Sequence, residues 1–422
     1  MTASDTHRAI DAVWRIESPR LIAGLTRIVR DVGLAEELAQ EALVAALEQW
    51  PTSGVPDNPG AWLMATAKHH AIDHIRRDVM RERKHEEIGR DLMQQQEALA
   101  EELEATIDDP IGDDLLRLVF IACHPLLSTD ARIALTLRLL GGLTTDEIAR
   151  AFLTAETTIA QRIVRAKKTL SEARPPFEVP RGAELVARLA SVLEVIYLIF
   201  NEGYAATTGD DWVRPALCED ALRLGRVLAG LMPDEPEVLG LVALMELQAS
   251  RLRARTTPHG DPVLFLDQDR GRWDHLLIRR GLVALERAEK LAPARGPYTL
   301  QAAIAACHAR ARTAEETDWI RIAALYTALM HIEPSPIVEL NRAVAFGFAF
   351  GPKVALPIVD DLVRDGALAS YYLLPSVRGD LLVKLGRADE ARAEFERAAS
   401  LTKNERERTL LLARAASPGT RS

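Results

Sequence analysis

No stretch of this chain alternates β-branched and polar residues for long enough to make a half-buried strand; Gly and Pro instead punctuate segments of helical length. That pattern, with Ala, Leu and Arg frequent and aromatics at only 5%, points to an all-α protein. At 422 residues the chain exceeds one ordinary core, so two to three domains are expected. A composition 48% hydrophobic and 27% charged excludes general disorder. Cys123, Cys218 and Cys307 lie far apart, which excludes a disulfide scaffold or a CxxC zinc site and fits a reducing cytoplasm. The N-terminus has no signal-peptide core. The most apolar stretch, 185–200, contains Arg188 and Glu194 and is too short to span a bilayer, so a cytoplasmic chain without a membrane partner is expected.

The net charge of −9 argues at first against a nucleic-acid partner, but it is not spread evenly. Residues 81–114 hold twelve acidic and four basic side chains, a net −8, and carry no sustained apolar period after Leu92. Such a segment reads as a solvated linker. It divides a first helical block (1–80) from a second (113–175), with the linker at 81–112. Pro175, Pro176 and Pro180 then break the chain before a long helical array at 184–414.

The second block carries the sharpest local signal. Thr144 and Glu147 are spaced as a capping box, opening a short helix that buries Ile148 and Phe152. Leu153 and Thr154 make a turn, and Thr154 is placed to cap the next helix. There Ile159, Ile163, Ala166 and Leu170 share one face, while Thr158, Gln161, Arg162, Arg165 and Lys168 share another. This describes a helix-turn-helix: Gln161 and Arg162 are placed to read base edges, and Arg165, Lys167 and Lys168 to meet phosphates. A plain helical hairpin with a solvated face has the same spacing and stays open at this point.

In the first block, 35–47 reads as an amphipathic helix with Leu38, Ala42 and Ala45 or Ala46 inward and Glu36, Glu37, Gln40 and Glu41 outward. A loop with Pro51, Pro56 and Pro59 follows, then a basic helix from Ala61 carrying Lys68, His69, Arg76 and Arg77. His70 and His74 are four apart, but without a third ligand they make no metal motif.

Together the two blocks resemble an extracytoplasmic-function sigma factor of bacterial RNA polymerase, of the subgroup with a long tetratricopeptide-like (TPR-like) C-terminal extension. The resemblance rests on Ala35-Glu-Glu-Leu-Ala-Gln-Glu-Ala-Leu43, on Ala61-Trp62-Leu63 continuing through Ala67-Lys68-His69-His70 to Arg76-Arg77, on Leu143-Thr-Thr-Asp-Glu-Ile-Ala149, and on Thr157 to Lys167. His69 stands where the family usually has Asn, Ala160 where Lys is frequent, and Leu153 where the turn usually has Gly; these leave the promoter sequence unspecified. The resemblance implies two small helical sigma domains, the second a helix-turn-helix, joined by the acidic linker. It implies that Glu37, Gln40 and Glu41 meet the clamp of the polymerase's largest subunit. The loop from Trp50 to Pro59 would capture an unstacked −10 base, with Trp62, Lys68, His69, Arg76 and Arg77 nearby. Thr157, Thr158, Gln161, Arg162, Arg165, Lys167 and Lys168 would read the −35 element. The chain itself would be no enzyme, with no catalytic residue, cofactor or metal.

Gly379, Gly386, Ala391, Phe395 and Ala398 fit one 34-residue tetratricopeptide unit, and helix ends before Pro233, Pro293 and Pro334 suggest degenerate ones. Two polar interruptions, 200–204 and 255–273, stand out in the array; the second includes His259 and Asp261. Asn201, Glu202, Tyr204, Asp267, Asp269, Arg272 and Trp273 are the candidate lining of a pocket for a signalling protein or a small ligand. The expected function is promoter recognition on core RNA polymerase, with the array regulating it in cis. The alternatives are a helix-turn-helix regulator that acts without polymerase, and a TPR-type scaffold or ligand sensor.

Overall fold

The computed structural model describes residues 3–83, 111–152, 154–204, 213–257, 263–292, 294–402 and 404–417. Most of the acidic linker, Leu153, His259, Asp261 and Pro293 therefore lie outside the described residues. Within them the chain is all-α, eighteen α-helices with three short 3-10 turns and no sheet. It divides into two compact units, Met1–Ile196 and Tyr197–Ser422.

The first unit opens with α1 (Ala3–Val29), α2 (Val32–Ser53) and α3 (Pro59–Arg83), which pack on one another. α2 starts where the Asp31 carboxylate accepts the Leu34 N–H. Its buried face is Leu38, Ala39, Ala42, Ala46 and Trp50. The expected loop from Trp50 to Pro59 is shorter than the prolines suggested. α2 runs through Pro51 to Ser53, because the Thr52 and Ser53 hydroxyls and the Gly54 N–H bond to carbonyls of its last turn. Gly54 then turns the chain at φ +85, a conformation that favours glycine.

The unit continues with α4 (Ile111–Ala122), α5 (Thr129–Leu139), α6 (Thr145–Ala151), α7 (Glu156–Ala173) and the first turns of α8 (Gly182–Tyr204). The start of α8 is hydrogen-bonded to the end of α4. Leu189, Val192, Leu193 and Ile196 are buried, the Arg188 guanidinium donates to the Phe120 carbonyl at 2.8 Å, and the Ser191 hydroxyl donates to the Cys123 carbonyl at 2.9 Å. The compact unit ends inside α8, at Ile196.

The second unit takes the last turns of α8 and then α9 (Pro215–Leu231), α10 (Pro236–Ala249), α11 (His275–Leu291), α12 (Pro297–Arg310), α13 (Trp319–Ile332), α14 (Pro336–Ala349), α15 (Pro352–Asp365), α16 (Leu373–Lys384), α17 (Ala388–Leu401) and α18 (Glu405–Ala416). Five of these begin with Pro in the first turn, where its missing N–H costs no hydrogen bond. Successive helices pack as neighbours around two apolar cores, one reaching from α10 to α14 and one from α14 to α18. The α16–α17 hairpin has the expected repeat geometry. Gly379 lies under the Phe395 ring, Gly386 turns at φ +76, and Ala391, Phe395 and Ala398 are fully buried.

All three cysteines are free thiols in the interior. Burial pushes Cys123 up to about 11, against a Thr136 hydrogen bond, and Cys218 up to about 12. No helix among the described residues is long and apolar enough to cross a membrane.

Candidate nucleic-acid and polymerase interface

The helix-turn-helix is α6, a tight turn and α7. The capping box forms as spaced: the Thr144 hydroxyl accepts the Glu147 N–H and the Glu147 carboxylate accepts the Thr144 N–H. Ile148 is buried, but Phe152 is only half-buried. Thr154 does not cap α7. Its hydroxyl donates to the Phe152 carbonyl at the end of α6, and the cap position falls to Ala155, which has no side-chain acceptor. α7 buries Ile159, Ile163, Ala166 and Leu170 as its period predicts. Thr157, Gln161, Arg165 and Lys168 are exposed, and Thr158 is half-buried. Arg162 is engaged by Asp130 on α5 at 3.0 Å.

Lys167 faces inward. Its ammonium lies 2.5 Å from Glu36, whose side chain is 4% exposed. Glu36 was expected on the outer face of α2; it is buried instead, because Arg138 and Lys167 supply the countercharge that makes a buried carboxylate tolerable. Arg138 Nε donates to Glu36 Oε1 at 2.6 Å, and Gln40 donates to the same oxygen at 2.8 Å. Two further links join the same blocks: the Ser171 hydroxyl donates to Asp31 at 2.6 Å, and Arg15 pairs with Glu147 at 2.5 Å. Burial would raise the Asp31 pKa, but Ser171, the Leu34 and Gly33 N–H groups and the Lys167 charge together hold it below the usual carboxylate range.

On the outer face of α2, Glu37 and Glu41 are exposed. Glu41 lies 3.1 Å from His70 on α3. Gln40 is half-buried, turned onto Glu36. On α3, His69, Arg76 and Arg77 are exposed, with His69 3.6 Å from Asp73. Burial, reinforced by Arg27, lowers the Lys68 pKa. Trp62 is half-buried and meets the fully buried Trp50 edge-to-face at 5.3 Å. Trp50 thus backs the Trp62 ring at the start of α3.

Of the seven pocket candidates in the second unit, only Tyr204 and Trp273 come together. Asn201, Asp267, Asp269 and Arg272 are exposed. Glu202 pairs with Arg214 at 2.5 Å, and Asp269 is spent on the Gly271 N–H. What joins Tyr204 and Trp273 is Arg251, which sequence reading did not single out. Its position in the polar break after α10 was the one available signal.

Residues 14–79 match the sigma-70 region 2 family, 117–170 match sigma-70 region 4, and 188–289 match the family of unknown function DUF6596. An uncharacterized protein of Rhizobium meliloti (strain 1021) is 44% identical over 397 residues, 94% of this chain and 92% of that one. The ECF RNA polymerase sigma factor SigK of Mycobacterium ulcerans is 30% identical over 155 residues, 36% of this chain and 78% of SigK. The probable ECF RNA polymerase sigma factor SigI of Mycobacterium tuberculosis is 26% identical over 174 residues, 40% of this chain and 56% of SigI. Both sigma regions are present in order, and each coincides with a helical block of the first unit. With a long helical extension following them, this chain belongs to the extracytoplasmic-function (ECF) group of RNA polymerase sigma factors, in the subgroup with a long C-terminal extension.

Proposed function

We propose that this chain binds core RNA polymerase through the α2–α3 face bearing Glu37 and Glu41, and directs it to a two-element promoter. The acidic face suits basic clamp residues, giving orientation and on-rate more than raw affinity. The 54–58 loop and the α3 side chains Trp62, Lys68, His69, Arg76 and Arg77 receive the −10 element; the open face of α7 reads the −35 element. The observation that carries this reading is α7 itself: its apolar stripe is buried while Gln161, Arg165 and Lys168 stay open to solvent. The chemistry belongs to the polymerase. In vitro transcription with core enzyme on genomic fragments is the test. Promoter-specific transcripts that Arg165→Ala abolishes are expected; none from any fragment would overturn the reading.

We further propose that the C-terminal unit regulates this activity in cis. What supports it is α8, which gives its first turns to the DNA-reading unit and its last turns to the second. A chain ending at Tyr204 keeps all of α8. If its transcription and core affinity equal those of the full chain, the C-terminal unit is not a regulator.

A further inference from the structure

The second unit contains a guanidinium with no carboxylate. Arg251 is ringed by aromatic faces: its Cζ lies 4.7 Å from the Phe265 ring centre and 5.7 Å from those of Tyr204 and Trp273. Of its five N–H groups, one donates to the Tyr204 hydroxyl at 2.7 Å. No described Asp or Glu pairs with it. Burial lowers its pKa, reinforced by the Arg255 charge, against the pull of Tyr204 and Tyr326. Arg255 stacks on Tyr204 at 3.9 Å and Arg270 on Trp273 at 4.9 Å, so three cations crowd one aromatic cluster. Arg270 donates to neutral acceptors, the His308 and Ala311 carbonyls and the Thr317 hydroxyl, with Glu315 and Glu316 near enough to offset part of the effect of its burial. The field is strong enough that burial, with Arg251 and Arg270, depresses His308 to about 3.

A desolvated cation costs several kcal/mol unless it is paired. The cluster also holds unused hydrogen-bonding capacity. The Trp273 Nε1–H is buried without an acceptor, and His308 Nδ1 and Gln268 Oε1 are buried without a donor. Tyr197 lies close enough to Tyr204, and Tyr326 to Arg251, for their charges to interact, both rings pack against the same apolar core, and neither hydroxyl bonds to another described residue. Arg251 itself retains partial exposure. A fork of N–H donors beside phenol and indole donors matches the oxygens of a carboxylate or phosphate, and the ring faces match an apolar body.

We propose that Arg251, with the phenols of Tyr197, Tyr204 and Tyr326, anchors a site in the C-terminal unit for a small organic oxyanion, a carboxylate or phosphate monoester on an aromatic-sized body. The anion replaces the missing carboxylate partner. Trp273 and Phe265 wall its apolar part. Binding here is independent of whether the C-terminal unit regulates transcription.

The test is titration of the full chain with benzoate and, separately, phenyl phosphate, followed by tryptophan fluorescence and calorimetry. Benzyl alcohol is the uncharged control. Saturable binding of one anion, with no binding of the alcohol, is expected; which anion binds identifies the headgroup. Arg251→Lys keeps the charge but loses the fork and should weaken binding about tenfold or more. Tyr326→Phe should weaken it about threefold while leaving the unliganded Tm unchanged, since its hydroxyl makes no hydrogen bond to a described residue. Absence of saturable binding by both anions, equal binding of the alcohol, or an unchanged Kd in Tyr326→Phe overturns the proposal. The last criterion holds even if Arg251→Lys fails to fold.

Discussion

Lys167 on α7 and Glu36 on α2 form an ion pair at 2.5 Å, 131 residues apart in the chain. Arg138 completes a triad around the same carboxylate. Replacing Glu36 by Gln leaves two partly buried cations facing a neutral amide. A fully buried pair would cost more, but Arg138 and Lys167 retain 23% and 21% exposure, so a loss of about 2 kcal/mol is expected. Chemical denaturation checks this. A Glu36→Gln/Lys167→Met double-mutant cycle should return a coupling of about 1 kcal/mol, and additive losses would show the pair to be inert.

The same pair divides the basic residues of α7 into two kinds. Arg165 and Lys168 are open to a phosphate, whereas Lys167 reaches one only by leaving Glu36. For duplex DNA binding by the free chain, Arg165→Ala should reduce the log K against log salt slope by about 0.9, and Lys167→Ala should leave it unchanged. Equal reductions would mean that DNA pulls Lys167 out of the triad.

Asp31 predicts an acid sensitivity. Its folded pKa lies below the unfolded value of about 3.9, so its contribution is fully present above that pH and disappears as pH falls through the folded value. Stability measured from pH 5 downward should fall, and Asp31→Asn or Ser171→Ala should flatten that fall. A variant with an unchanged acid limb would remove Asp31 from the account.

A chain ending near residue 180 should lose more than its C-terminal unit. It removes the buried Leu189, Val192, Leu193 and Ile196 and leaves the Phe120 and Cys123 carbonyls without the Arg188 and Ser191 donors. Such a chain is expected to melt well below one ending at Tyr204. In the full chain Arg188→Ala should cost about 1–3 kcal/mol, read by hydrogen exchange in α4.

Gly379 is a packing requirement. A Cβ there would sit 2.7 Å from Phe395 Cε1, and that ring is 1% exposed with nowhere to retreat. Gly379→Ala should destabilise the α16–α17 hairpin by about 1–3 kcal/mol. Pairing it with Phe395→Leu should recover part of the loss, and denaturation of the double variant measures it.

What the sequence made legible was local. The Thr144–Glu147 capping box, the buried stripe of α7 and the Gly379–Phe395 repeat unit are set by residues within a few turns of each other, so spacing alone finds them. Glu36 was misread because its neighbours on α2 are exposed acids, and its own countercharges stand 102 and 131 residues away. Thr154 had two acceptable bonds, and geometry chose the earlier helix. The Arg251 cluster was half-seen. Tyr204 and Trp273 stood out as aromatic breaks in a helical pattern, but the arginine that unites them looks like any other in an arginine-rich array.

The burial of all three thiols bears on which stimuli this factor senses directly. Reaction with peroxide requires an accessible thiolate, and each of these sulfurs is buried with its pKa pushed up. An oxidative stimulus therefore has no receptor among this chain's cysteines. An oxidant would first have to open the packing around a cysteine to reach its sulfur.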